Sequence, residues 1–276
     1  MRKTSGAMIC PNCNKLISVA EERCPFCGAW RPGMFGFAPA LQKLFGGKFD
    51  FPHLTTITCV TLYVIALALQ PEAIFHPPSL FAILSPGDRA LYQLGMTGGL
   101  AWERHWWWTL LTAIYLHGGL LHIFFNLMWV RNLGPEVMRV FGSARAFVIF
   151  SVAGAAGFLV SNLATGNPSI GASGSIFGLL AALIVYGRRR GGTQLTMQLY
   201  QWAIILFVMG FVLPNVNNWA HAGGFAGGWV TAYAMAFSDE RRESPAVQVL
   251  ALALLGATVV GFALSFIKVT SILMQG

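Results

Sequence analysis

The stretch Ile170-Gly171-Ala172-Ser173-Gly174-Ser175-Ile176-Phe177-Gly178 decides the reading of this chain. It puts a serine between small residues at the mouth of a strongly apolar run, where a hydroxyl needs an explanation. Gly171 and Gly174 strip side-chain bulk from both sides of Ser173, and Gly174 and Gly178 lie one helical turn apart, so this face admits very close contact with a second helix. The matching partner is Trp219-Ala220-His221-Ala222-Gly223-Gly224-Phe225-Ala226-Gly227-Gly228. There Gly224 and Gly228 repeat the small-xxx-small spacing behind His221.

Around this pair the 276-residue chain is 55% hydrophobic and 10% charged, with mean hydropathy +0.61. Such a composition excludes an ordinary soluble domain and fits an all-α polytopic protein in a lipid bilayer. Apolar runs predict seven spans, at Leu54–Gln70, Gly118–Met138, Ser143–Leu163, Ser173–Tyr186, Thr196–Leu213, Trp219–Phe237 and Ala246–Ile267. The net charge of +8 does not gather into a patch with stacking aromatics, so nucleic acid is not expected as a partner. Arg131, Arg139 and Arg145, then Arg188 to Arg190, then Arg241 and Arg242 alternate with the uncharged loops Asn162–Ile170 and Pro214–Asn218. Positive-inside therefore puts the N-terminus in the cytosol and the polar break Pro71–His105 outside, with Trp106, Trp107 and Trp108 fitting an interfacial aromatic belt.

Spans two, four and six then run from outside to inside. His122, Ser173 and His221 each fall near the start of one of them, at similar depth on the outer side. Packing alone would explain Ser173, and a hydrogen-bonded interior role would explain His221. The pair at matched depth favours a nucleophile and its base, because a neutral imidazole of reference pKa about 6.5 is the usual group to take a serine proton. No Asp or Glu lies in the outer half of the predicted spans, so a dyad is the simpler arrangement. Phe177, one turn from Ser173 on the same face, offers an aromatic surface to the imidazole. His122 and Asn126, four apart, share a face and with the Ser173 backbone amide could hold an oxyanion; helix-helix hydrogen bonding is the other reading of the asparagine. His117 points elsewhere, towards loop, water or a structural partner.

Four of the five cysteines form Cys10-Pro-Asn-Cys13 and, after ten residues, Cys24-Pro-Phe-Cys27. Two such knuckles converge on one tetrahedral thiolate site suited to structural zinc, with zinc-sulfur bonds of about 2.3 Å. Iron fits the same geometry, and disulfides or a redox pair are the alternatives, which a reducing cytosol disfavours. Cys59 lies in an apolar run and reads as a small buried hydrophobe.

Gly171-Ala172-Ser173-Gly174, His221-xx-Gly224-xxx-Gly228 and His122-xxx-Asn126 together resemble the motifs of rhomboid intramembrane serine proteases, over roughly residues 54 to 238. The resemblance implies a six-helix core with a catalytic Ser173–His221 dyad, an oxyanion site from His122, Asn126 and Ser173, and no cofactor for catalysis. It implies cleavage of single-span membrane proteins near the outer face of a bacterial inner membrane. A catalytically silent binding or chaperone relative is the alternative; such relatives typically lack the serine or histidine. Trp108-Thr109 stands where many members have Trp-Arg, Phe177 stands for the commoner tyrosine, and the helix after the core resembles the six-plus-one form. The expected domains are a cytosolic zinc-ribbon-like module over 1–33, a linker over 34–52, the rhomboid core over 53–240, and a cytosolic loop with the extra helix over 241–276; docking of a cytosolic protein partner is the favoured role of the module, with regulation or a stabilised N-terminal cap as the alternatives.

Overall fold

The computed structural model describes residues 3–10, 15–26, 28–33, 50–75, 83–213, 216–238 and 243–274. Near the N-terminus β1 (Ala7–Ile9) and β2 (Leu16–Ser18) pair antiparallel, with Met8 opposite Ile17. The alternation of the strands turns these two inward onto Cys10, Val19, Cys24 and Ala29. The linker residues 34–49 lie outside the described residues.

The first long helix, α1 (Phe51–Leu69), starts a turn ahead of the predicted span because Asp50 caps it, accepting from the His53 backbone N–H at 3.1 Å, with Pro52 in the first turn. The segment between α1 and the next long helix runs through three short helices, α2 (Asp88–Gln93), α3 (Leu100–Glu103) and α4 (Thr109–Thr112). Six long helices follow: α5 (Leu120–Phe141), α6 (Ser143–Ala164), α7 (Ser173–Arg190), α8 (Thr193–Val212), α9 (Asn218–Ala234) and α10 (Pro245–Leu273).

Among the described residues α1, α6, α8 and α10 are long and apolar enough to cross a membrane. α5 joins them if taken with Thr109–Tyr115, from which it is bent by 96°. By length and composition alone, four of the seven predicted spans meet this criterion, or five with the bent pair, and α7 and α9 do not. The difference is physical. α7 buries Gly174 to Val185 and Gly187 inside the protein and ends in Arg188, Arg189 and Arg190, while α9 is only 17 residues long and wedged between α6 and α7. Helices packed against protein need no apolar face for lipid.

Glycine sets how closely these inner helices pack. A methyl group on Gly224 would overlap the carbonyl oxygen of Gly174, and one on Gly228 would overlap the backbone of Gly178. The other side of α9 meets α6, where a Cβ on Gly223 would lie 2.7 Å from Val160 and one on Gly227 would lie 2.6 Å from Ala156. In a bilayer, where helices gain little from hiding apolar surface, such close contact is a main source of association. At the other end of α6, the Glu243 carboxylate accepts the Arg145 backbone N–H at 3.0 Å and so caps the helix from the strand of chain that leads into α10.

The tryptophan triplet divides. Trp107 is exposed, whereas Trp106 is buried and stacks on the half-buried Trp108 at 6.0 Å between ring centres. Only Trp107 is placed as an interfacial belt requires.

Candidate active site

Ser173 is the first residue of α7, His221 the fourth of α9 and His122 the third of α5, so three helix N-termini converge. The Gly174–Gly224 and Gly178–Gly228 contacts draw α7 and α9 together. His221 Nε2 then lies 3.0 Å from Ser173 Oγ. The imidazole stacks on Phe177, with 4.4 Å between ring centres and 20° between planes, which restricts rotation about its side-chain torsions. His221 is buried and Ser173 half-buried.

The second nitrogen of His221 fixes which form the ring takes. Nδ1 lies 3.2 Å from Asn218 Oδ1, and a carbonyl oxygen can only accept. With the proton thus on Nδ1, the lone pair of Nε2 faces the serine, as a base requires. Asn218 was missed in the sequence because it falls in the uncharged loop before the predicted span. Its position three residues before His221, on one helix face, was the available signal. Asn217, also missed, caps α9 through Oδ1 to the Ala220 N–H at 3.1 Å and donates through Nδ2 to Ser169 Oγ at 2.8 Å.

His122 is set by the same logic in the opposite sense. Its Nδ1 accepts the Gly118 N–H at 3.3 Å, so the neutral ring carries its hydrogen on Nε2. That nitrogen faces the turn ahead of Ser173, since a Cβ on Gly171 would stand 2.6 Å from it. Gly171 also has φ +118°, so glycine is needed there twice over. Asn126 is buried and donates through Nδ2 to the His122 carbonyl at 2.8 Å, leaving one amide hydrogen for a further acceptor. His117 is buried with its ring edge-to-face on His122 at 5.1 Å between centres, so it turns towards His122 and not elsewhere, because it precedes α5 and is free of the helical offset that would set the two apart. The arrangement offers a hydroxyl with an adjacent base, and beside it a ring N–H and the N-terminal amides of α7, which suit a developing negative charge.

The family whose description matches is the Rhomboid domain, over residues 104–238. Residues 104–238, just under half of the chain, are similar to that domain. Ser173, His221, His122, Asn126, Phe177 and Asn218 all fall inside it. Rhomboid protease GluP of Bacillus subtilis (strain 168) is 37% identical over 132 residues, covering 47% of this chain and 26% of that protein. YdcA of the same organism is 27% identical over 202 residues, covering 70% of this chain and 96% of its own length. Inactive RHOMBOID-like protein 8 of Arabidopsis thaliana is 31% identical over 176 residues, covering 59% of this chain and 48% of that protein. The chain thus spans about a quarter of GluP, about half of the plant relative and nearly all of YdcA. With its apolar helices, the rhomboid match makes the chain an integral membrane protein.

The expected four-cysteine metal site falls partly outside the described residues. Cys13 and Cys27 are not among the described residues, which hold no group of three metal-ligating side chains. Cys10 and Cys24 are buried in one cluster, where the Cys10 N–H donates to the Lys15 carbonyl at 2.8 Å and the Cys24 N–H to the Ala29 carbonyl at 2.9 Å.

Proposed function

We propose that this protein is an intramembrane serine endopeptidase that cleaves single-span membrane proteins near the outer membrane face. The observation that carries the reading is the 3.0 Å approach of His221 Nε2 to Ser173 Oγ, with the Nδ1 hydrogen held by Asn218. His221 takes the Ser173 proton as Oγ bonds to the scissile carbonyl carbon. The carbonyl electron pair becomes an oxyanion beside His122 Nε2–H, the free Asn126 hydrogen and the Ser173 N–H. On collapse the C–N bond breaks and the leaving amine takes the proton from His221. Water then gives a proton to His221 and its oxygen to the acyl carbon. Finally the Oγ–C bond breaks and Ser173 recovers its proton.

Co-expression with single-span reporters tests this. Processing should occur with the parent chain and be lost with Ser173→Ala and with His221→Ala; processing that survives both substitutions refutes the dyad. The rival reading is a silent membrane-helix binder, and one relative is named inactive. The full reacting set in this chain favours the enzyme.

We further propose that Cys10, Cys13, Cys24 and Cys27 bind structural zinc in a cytosolic module that docks a protein partner, iron being the other metal suited to that site. Metal analysis of the full chain purified under reducing conditions should find one zinc per chain. Absence of both stoichiometric zinc and iron would refute the metal site.

A further inference from the structure

The segment 83–119 is built from helices of three to six residues, too short to hold themselves in place, and Thr109 stands where the resembling motif has an arginine. Something else must fix it. The buried residues Thr258, Gly261, Ser265 and Val269 of α10 recur at helical spacing, and the last three meet this segment. Trp108 Nε1–H donates to Ser265 Oγ at 2.9 Å, and Ser265 is wholly buried. A Cβ on Gly261 would be 3.2 Å from Trp108 and 3.0 Å from Thr112, so α10 lies directly against α4. Gly95, at φ +98°, leaves the room in which Thr112 donates to its carbonyl at 2.7 Å beside Ser265. Val269 packs with Ala101 and Trp106.

The same segment holds the turn that leads into Ser173. Thr97 and Ser169 exchange backbone hydrogen bonds at 3.3 and 2.9 Å, and the Ala113 carbonyl accepts the Gly171 N–H at 2.9 Å. Asn162 Nδ2 donates to Thr97 Oγ1 at 3.0 Å, and Ser169 Oγ receives Asn217, the cap of the His221 helix. Displacing the segment would therefore move Gly171 against His122 and loosen the α9 cap together.

We propose that α10 positions the active site: through Ser265 and Trp108 it holds the segment that sets the Ser169–Ser173 turn. Both are positioning residues, touching neither substrate nor the reacting atoms. The catalytic part of this inference rests on the protease reading; the anchoring does not.

The test uses the full chain in detergent or bilayer, with Ser265→Ala, Trp108→Phe and the double variant. Each single change removes one partner of the same bond and should lower kcat about three- to tenfold with KM within about twofold. The double should be no worse than about twofold below the weaker single, because the bond is lost only once. Hydrogen exchange should quicken at amides 95–116 in all three, with α7 amides as slow as in the parent. Unchanged exchange overturns the anchoring. Faster exchange with unchanged kcat, a change confined to KM, or single effects that multiply in the double overturns the positioning role. If the parent cleaves no reporter, the protease reading fails instead, and exchange alone decides whether α10 anchors the segment.

Discussion

Gly224→Ala is the substitution from which most can be worked out. Its new methyl group would occupy the space of the Gly174 carbonyl oxygen, with the Gly174 carbonyl carbon and Cα at 2.6 and 2.7 Å. Carbon and oxygen settle at about 3.3 to 3.6 Å, so α7 and α9 must part by about 1 Å at this level. Ser173 adjoins Gly174, and His221 lies one turn before Gly224. The same displacement therefore takes the 3.0 Å Ser173–His221 contact to about 4 Å, beyond hydrogen-bond reach. A misplacement of about 1 Å costs on the order of 10²-fold in rate. The assay is the second-order rate of Ser173 labelling by a fluorophosphonate, which needs no knowledge of the natural substrate. Gly256→Ala on α10 is the control, since nothing lies within 4 Å of its new methyl group. Labelling should fall about 100-fold in Gly224→Ala and stay at the parental rate in Gly256→Ala. Gly224→Ala protein that is folded and labels at the parental rate would refute the claim that glycine contact sets the dyad distance.

Other expectations follow from single contacts. Asn218→Ala should lower kcat about tenfold by releasing the His221 tautomer. Asn218→Asp should shift the acidic limb of the pH–rate profile upward: a carboxylate beside the ring favours imidazolium, so the base stays protonated to higher pH. An unmoved limb would mean that Asn218 does not face the ring. Gly171→Ala meets both His122 Nε2 and a left-handed backbone, so about 10²-fold less cleavage is expected, and near-parental activity would remove His122 from the oxyanion site. Glu243→Ala removes the cap on α6 and should cost about 1 kcal/mol in unfolding measurements while leaving Ser173 labelling within about twofold.

The sequence was most legible where one residue type has few uses. Glycine spacing identified which helices meet, because close backbone contact leaves few choices but glycine. The stack of Phe177 on His221 could be read from a one-turn offset. Asn218 was not legible as a partner, since whether a polar residue at a helix mouth faces solvent or a ring depends on helix rotation. The tryptophans failed for a related reason. Composition favoured an aromatic belt, but the fold of the segment between α1 and α5 turns Trp106 and Trp108 inward against α10. Nor did apolarity reveal that α10 carries Ser265 on an inner face, for a helix apolar all round gives no sign of which side meets protein.

The central claim is that His221 activates Ser173 for covalent attack. Mass spectrometry of the fluorophosphonate-treated protein measures this directly, by locating the adduct in the peptide that contains residue 173. One adduct on Ser173 is expected in the parent, with labelling slowed more than about 10³-fold in folded His221→Ala. An adduct at another serine, or equal labelling of Ser173 without His221, would contradict the account.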